Sequence, residues 1–207
     1  VNAGTIENKG VDLSINYKHD FNEDFGFSAS YTLTSIKNKT LKVNNAAGFI
    51  SGGLFGLDQT TSRFQTGLPI GVFYGLQMEG IYQNQAEIDA LNTDTNNDGA
   101  IDNLDTPYQT GASPGDIRYA DIDGDGVVEY GSSDDQTVIG NPIPDYTMGF
   151  NLNVNYKSLD FGTSLYASIG NDIARSYERF LTYSNKPDYY LNRWTGEGTS
   201  NSVPRAS

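Results

Sequence analysis

The sequence predicts an all-β chain, a fragment of a large antiparallel transmembrane β-barrel with long extracellular loops. Three observations lead there. Four stretches alternate apolar and polar residues with a period of two, which gives a strand two unlike faces. Their polar positions hold mostly Ser, Thr, Asn and Gly, which suit a wet lumen, where a strand facing bulk water uses Lys, Glu and Arg. The turns inside each pair of stretches are very short, while the segments outside them are long, as in outer-membrane barrels.

The elements follow in order. Residues 11–18 set Val11, Leu13, Ile15 and Tyr17 against Asp12, Ser14, Asn16 and Lys18. Residues 25–34 set Phe25, Phe27, Ala29, Tyr31 and Leu33 against Gly26, Ser28, Ser30, Thr32 and Thr34. The polar stretch HDFNED between them reads as a turn, so residues 10–34 form a first membrane hairpin. Residues 35–67, rich in Asn, Lys, Gly and Thr, read as loop. Residues 68–84 read as a short strand or hairpin, and AEIDAL at 86–91 as one helical turn. The whole of 35–145 is thus a long extracellular loop region.

Residues 146–156 alternate most cleanly, with Tyr146, Met148, Phe150, Leu152, Val154 and Tyr156 against Thr147, Gly149, Asn151, Asn153 and Asn155. Lys157 and Ser158 turn the chain into a partner over 159–169, which makes 146–170 a second membrane hairpin. Residues 171–207 read as loop with a short helix, capped by Asp172 and carrying Ile173, Tyr177, Phe180 and Leu181 on one side. Each strand has about ten residues, the length a tilted strand needs to cross the apolar slab. Tyr17, Phe21, Phe25, Tyr156 and Phe161 gather beside the short turns, as interface girdles do. If both turns face one side, residues 35–145 hold zero or an even number of spanning strands. The competing architecture is a soluble β-sandwich, in which the same apolar faces bury against a second sheet.

Charge narrows the function classes. The net charge is −13, and residues 87–135 hold thirteen acids against one base, Arg118. A nucleic-acid partner would need a basic stripe, which this is not. The absence of cysteine removes thiolate metal sites and disulfides. No apolar run is long enough for a transmembrane helix.

Two segments carry metal-loop spacing. DTNNDGAIDNLD (94–105) places Asp94, Asn96 and Asp98 at positions 1, 3 and 5 of an EF-hand-type loop. Gly99 stands at the sharp turn, Ala100 offers its carbonyl at position 7, and Asp102 and Asp105 fill positions 9 and 12. In the second segment Asp121, Asp123 and Asp125 precede Gly126, with Val127 and Glu129 at positions 7 and 9. Ser132 stands where the acidic ligand of position 12 belongs; Asp134 or Asp135 replaces it if residues 130–132 bulge out. Calcium is the cation these oxygen sets imply, and a solvated acidic turn is the plainer reading of the same residues. Tyr189, Tyr190 and Trp194 are candidates for stacking on a sugar or clamping a peptide, against local loop packing. The one histidine, His19, reads as an exposed turn residue, and no Ser-His-Asp set assembles around it. The carboxylates fall at calcium-loop spacing, which makes a glycosidase the weaker reading.

Several stretches together resemble the SusC/RagA family of TonB-dependent outer-membrane transporters. They are NAGTIENKGVDLSINY (2–17), LPIGVFYGLQMEGIYQN (68–84), PGDIRYADIDGDG (114–126), IGNPIPDYTMGF (139–150) and RWTGEGTSNSVPR (193–205). The resemblance implies part of a wall of about 22 strands in the outer membrane of a Gram-negative bacterium. It also implies import of glycan oligosaccharides or peptides, a SusD-like surface lipoprotein partner, contact with outer-membrane lipid, and a TonB complex acting through parts outside these residues. No covalent chemistry is expected of the chain. The alternative is a secreted, soluble calcium-binding β-module for adhesion or carbohydrate recognition.

Overall fold

The computed structural model describes residues 3–55, 59–102, 104–130, 132–175 and 185–206. Strands β1 (Gly4–Asn22), β2 (Phe25–Val43), β3 (Phe49–Phe55), β4 (Gln59–Gln65), β5 (Val72–Leu76) and β6 (Met78–Ile81) come first. Helix α1 (Gln85–Asp89), β7 (Ile117–Tyr119), β8 (Gln136–Gly140), β9 (Tyr146–Tyr156) and β10 (Leu159–Ile169) follow. The chain divides into two compact units, Val1–Phe73 with Gly140–Ala174, and Tyr74–Ile139 with Arg175–Ser207.

The first unit is built on a wall in the order β1-β2-β9-β10, every neighbour antiparallel. Its register aligns the two faces across all four strands. Ile15 lies opposite Tyr31, Tyr31 opposite Phe150 and Phe150 opposite Leu165, which makes one apolar row. One residue on, Asn16, Ser30, Asn151 and Ser164 make a polar row. The polar row is knit by side chains: Asn151 Nδ2 donates to Ser30 Oγ at 3.2 Å, and Ser164 Oγ donates to Asn151 Oδ1 at 2.7 Å. No side chain of the apolar rows is buried, and Val11 and Leu165 stand 70% and 62% exposed. A sandwich requires these rows to be covered by a second sheet; a barrel exterior leaves them open to lipid.

The apolar face has sharp limits. On β1 it runs from Val11 to Phe21 and then meets Lys9 and Glu7, which pair at 2.9 Å. On β2 the same face turns to Lys37 and Lys39 beyond Ser35. The apolar band itself covers Val11 to Phe21 on β1, close to the length expected of a tilted spanning strand. The turn end carries an aromatic cluster in which Phe21 stacks on Phe25 at 4.9 Å and His19 meets Phe21 edge-on at 4.5 Å. Lys157, at φ 54°, turns the second hairpin and donates its N–H to Asp24 O at 2.6 Å, so both short turns lie at one end of the wall.

Three expectations need correction. His19 is not a turn residue: the turn shrinks to Glu23 and Asp24, and His19 stands on the apolar face of β1. Residues 35–67 are not loop, because β2 continues to Val43 and β3–β4 form a hairpin of a separate sheet, in register from Phe49↔Gln65 to Phe55↔Gln59. Beyond the apolar band Lys37, Asn38, Lys39 and Thr40 put polar residues on both faces of β2, with Thr40 buried at 0% exposure, so the period of two persists without its hydrophobic signature. The helix expected from Asp172 does not begin there, since residues 171–175 are non-helical and the Asp172 carboxylate accepts the Asn141 N–H at 2.8 Å. Tyr177, Phe180 and Leu181 lie outside the described residues. The strand-parity argument resolves to zero: β2 pairs directly with β9, from Phe25↔Tyr156 to Thr34↔Thr147.

The second unit has a small core of Ile81, Tyr82, Ile88, Ala120 and Val128 around the β6–β7 ribbon. Burial pushes the Tyr82 phenol up to about 12, with Tyr108 adding to it. Helix α1 forms within the expected 86–91 segment because its ends are satisfied locally. Asn84 Oδ1 accepts the Glu87 N–H at 3.0 Å, and Glu87 Oε2 accepts the Gln83 N–H at 2.8 Å, a reciprocal cap. Residues 193–205 are stitched to this core. Asn201 Oδ1 accepts the Ile81 N–H at 2.9 Å, Gln83 Nε2 donates to Ser200 O at 3.0 Å, and Arg205 forks onto Asp116 at 2.7 and 3.2 Å. Gly115 is where the segments close: its φ is 91°, and a Cβ there would meet the Trp194 ring at 2.5 Å. Gly115→Ala is therefore expected to destabilise this unit by about 1–3 kcal/mol, combining left-handed strain and overpacking. Hydrogen exchange in the full-length protein would read this as lost protection over residues 193–205.

Candidate functional site

The two acidic segments fold into the same loop, and the hydrogen bonds show it position by position. The first carboxylate of each accepts two backbone N–H groups: Asp94 from Asn97 and Gly99, Asp121 from Gly124 and Gly126. Position 3 accepts the N–H two residues on, Asn96 from Asp98 and Asp123 from Asp125. Position 5 repeats this, Asp98 from Ala100 and Asp125 from Val127. Glycines at φ 82° and 94°, Gly99 and Gly126, make the sharp turn.

The closing carboxylate sets the register of the second loop. In the first, Asp105 accepts the N–H groups of Thr95 and Asp102, at positions 2 and 9. In the second, Asp135 accepts those of Ile122 and Glu129, again positions 2 and 9, each at 2.8 Å. Asp135 therefore takes the place that Asp105 holds, with three residues inserted before it. Of the two candidates, Asp134 is exposed, and Asp135 is turned fully inward at 0% exposure. Tyr108, which no sequence signal marks, holds the entrance: its hydroxyl accepts the Asp121 N–H and donates to Tyr119 O, both at 3.0 Å.

The two loops differ in how their oxygens converge. Carboxylate oxygens of Asp121, Asp123 and Asp135 lie within 4.8 Å of one another, the one such cluster among the described residues. The carboxylates of 94–105 do not gather in threes to that distance; Asn96 occupies one position with an amide that donates to Asp98 Oδ2 at 3.0 Å. At the second loop Glu129 Oε2 is enclosed without a donor. Its neighbour Asp135 can only accept, so a proton or a cation must lie between them. The contact with Asp135 accordingly pushes the Glu129 carboxyl up to about 7, with burial and the Asp125, Asp135 and Asp123 charges adding to it. Burial works against Asp135 ionising, and the Glu129 and Ile122 N–H groups outweigh it, leaving its carboxyl below the usual range. Asp105 is held low first by the Asp102 and then by the Thr95 N–H.

The aromatic candidates part company. Trp194 is a packing residue: Nε1 donates to Gln83 Oε1 at 3.2 Å and the ring lies over Gly115. Tyr189 and Tyr190 stack at 4.7 Å in a 3₁₀ turn, Asp188–Asn192, with Arg175 over Tyr189 at 4.4 Å and Lys186 over Tyr190 at 5.7 Å.

Comparison with known proteins places this arrangement. No family model matches the chain. TonB-dependent receptor P3 of Formosa agariphila is 31% identical over 208 residues, covering 99% of this chain and 19% of the receptor. TonB-dependent receptor SusC of Bacteroides thetaiotaomicron is 26% identical over 191 residues, covering 89% of this chain and 16% of the receptor. The fold matches a structure of the RagAB peptide transporter with a TM-score of 0.59 at 22% identity, over 98% of this chain and 20% of that one. The exposed two-faced wall and these matches define a segment of a TonB-dependent receptor. Within that class, the chain fits the SusC/RagA family. It spans about a fifth of the length of the curated relatives it matches.

Proposed function

We propose that the chain contributes wall strands and outer loops to an outer-membrane importer of oligosaccharides or peptides, spanning the bilayer several times and covered by a SusD-like lipoprotein. The observation that carries this reading is the wall: a four-stranded sheet with an open apolar face, bounded by charges at one end and aromatics at the other. The names of the relatives, receptors and a transporter, agree with it. The energy would come from a TonB complex acting through parts outside this chain, and substrate would move by displacement of other segments rather than by covalent chemistry. Uncovered apolar rows speak against the soluble β-module.

Within this reading, calcium closes the second acidic loop. Asp121, Asp123 and Asp135 would supply carboxylate oxygens, with Asp125, the Val127 carbonyl and Glu129 completing an oxygen set of the kind calcium takes. The enclosed Glu129 oxygen supports a cation there. The loop at 94–105 would hold calcium more weakly, through Asp94, Asn96, Asp98, Ala100, Asp102 and Asp105, because its oxygens stand further apart.

Native extraction of the full-length protein in mild detergent, followed by mass spectrometry, tests the import reading. A stoichiometric lipoprotein together with bound oligosaccharide or peptide is the expected result. Recovery of the protein alone, in water without detergent, would overturn it.

A further inference from the structure

The three residues inserted before Asp135 are surplus to the loop's own geometry, since 94–105 builds the same hydrogen-bond network without them. What the insertion delivers is Tyr130. Its ring stands 50% exposed and meets Tyr119 edge-on at 6.1 Å, the planes at 88°. The two rings wall a cleft of about 280 Å³ in the second unit, floored by Gln109 and Asp116 and closed by Pro204 and Arg205.

The floor is rigid. Gln109 is 4% exposed, and its amide donates to Ile117 O at 2.7 Å and accepts the Tyr119 N–H at 3.1 Å. Asp116 takes the Arg205 fork and also accepts the Ser113 N–H at 3.0 Å. This pairing decides the ligand chemistry. Asp116 neutralises Arg205, yet the fork uses Nε and one Nη2 hydrogen, and the remaining guanidinium N–H groups have no hydrogen-bond partner among the described residues. A cleft with free guanidinium donors, carboxylate and amide lone pairs, one exposed tyrosine face and no net cation suits hydroxyl groups better than carboxylates or sulfates. The surroundings press the same way: thirteen acids lie in 87–135, and their one base, Arg118, is 3.4 Å from Glu79.

We propose that this cleft is a contact site for a neutral oligosaccharide, with Tyr130 as the stacking platform and the Asp116–Arg205 fork as the hydroxyl-binding edge. The proposal rests on the import reading and narrows its substrate to uncharged glycans.

The test is calorimetric titration of the full-length protein, solubilised in detergent, with a panel of neutral plant, algal and microbial oligosaccharides. A uronate oligosaccharide and an uncharged peptide of matching length are titrated beside them. Binding of a neutral glycan is expected, weakened about tenfold or more by Tyr130→Ala, as for loss of an aromatic anchor. Ala112→Trp, which fills the cleft, should abolish it. Absence of neutral-glycan binding, or binding unchanged in both variants, overturns the proposal. So does Tyr130-dependent binding of the peptide or the uronate instead. Membrane insertion and lipoprotein co-purification are measured on the same variants. An importer that inserts and co-purifies normally but ignores both substitutions loses the cleft and keeps the import reading.

Discussion

Leu165→Arg is expected to abolish or severely reduce membrane insertion, while Ser164→Arg, one residue away, leaves it intact. Leu165 is 62% exposed at the β10 edge of the apolar row, so its replacement sacrifices almost no packing. In water, a change at such a site shifts stability by roughly 0.5 kcal/mol or less. In lipid, an Arg on the outer face near the midplane costs about 2–4 kcal/mol. Ser164 looks the other way, onto Asn151, where an Arg can reach water. The fraction of full-length protein running as the heat-modifiable, folded band in outer-membrane preparations measures both. Equal insertion of the two variants would mean that the apolar rows do not face lipid, and the wall would need another environment.

Asp135→Ala is expected to unfold the second acidic loop and to erase any calcium response. The carboxylate is the sole acceptor shown for the Ile122 and Glu129 N–H groups, at 0% exposure. Leaving two enclosed donors unmatched costs about 1–3 kcal/mol each, before any loss of a ligand. Asp105→Ala, the equivalent change in the first loop, should do less, because that loop is more open and water can reach the freed donors. Thermal unfolding of the detergent-solubilised protein, with calcium and with a chelator, separates the terms. Wild type should melt higher with calcium, and Asp135→Ala should melt lower than wild type and identically in both conditions. A wild type indifferent to the chelator would remove the cation while leaving the hydrogen-bond role in place.

The wall was legible because lipid and lumen impose opposite demands on alternate residues, so 11–18, 25–34, 146–156 and 159–169 each carry their environment in the pattern. Where that contrast lapses, so does the signal: Lys37, Asn38, Lys39 and Thr40 continue β2 with polar residues on both faces and read as loop. His19 misleads by composition, since Lys18 and Asp20 flank it, although its even spacing from Tyr17 and Phe21 marks the apolar face. The shared loop geometry was legible from spacing, including the choice of Asp134 or Asp135 for its closing carboxylate. Which of the two turned inward depended on a register that residues 130–132 reset. Tyr108, Gln109 and the Asp116–Arg205 fork were not legible, because their partners lie on segments joined only by the fold. The Tyr189, Tyr190 and Trp194 trio shows the converse: aromatic residues close in sequence, separated by the one glycine that Trp194 needs to pack against.

The direct pairing of β2 with β9 has a consequence for how such a protein can change. Everything from 44 to 145 leaves the wall at the end of β2 and returns to it at β9, the strand that pairs with β2. Its length and content are free of the register on either side, since Thr34 and Thr147 meet whatever lies between them. Selection can therefore rewrite the acidic loops without disturbing the pairing of β2 with β9, whereas the tyrosine-lined cleft also draws on Pro204 and Arg205. An engineer exchanging residues 44–145 between relatives would have to carry 193–205 along, because Trp194 and Arg205 pack on Gly115 and Asp116.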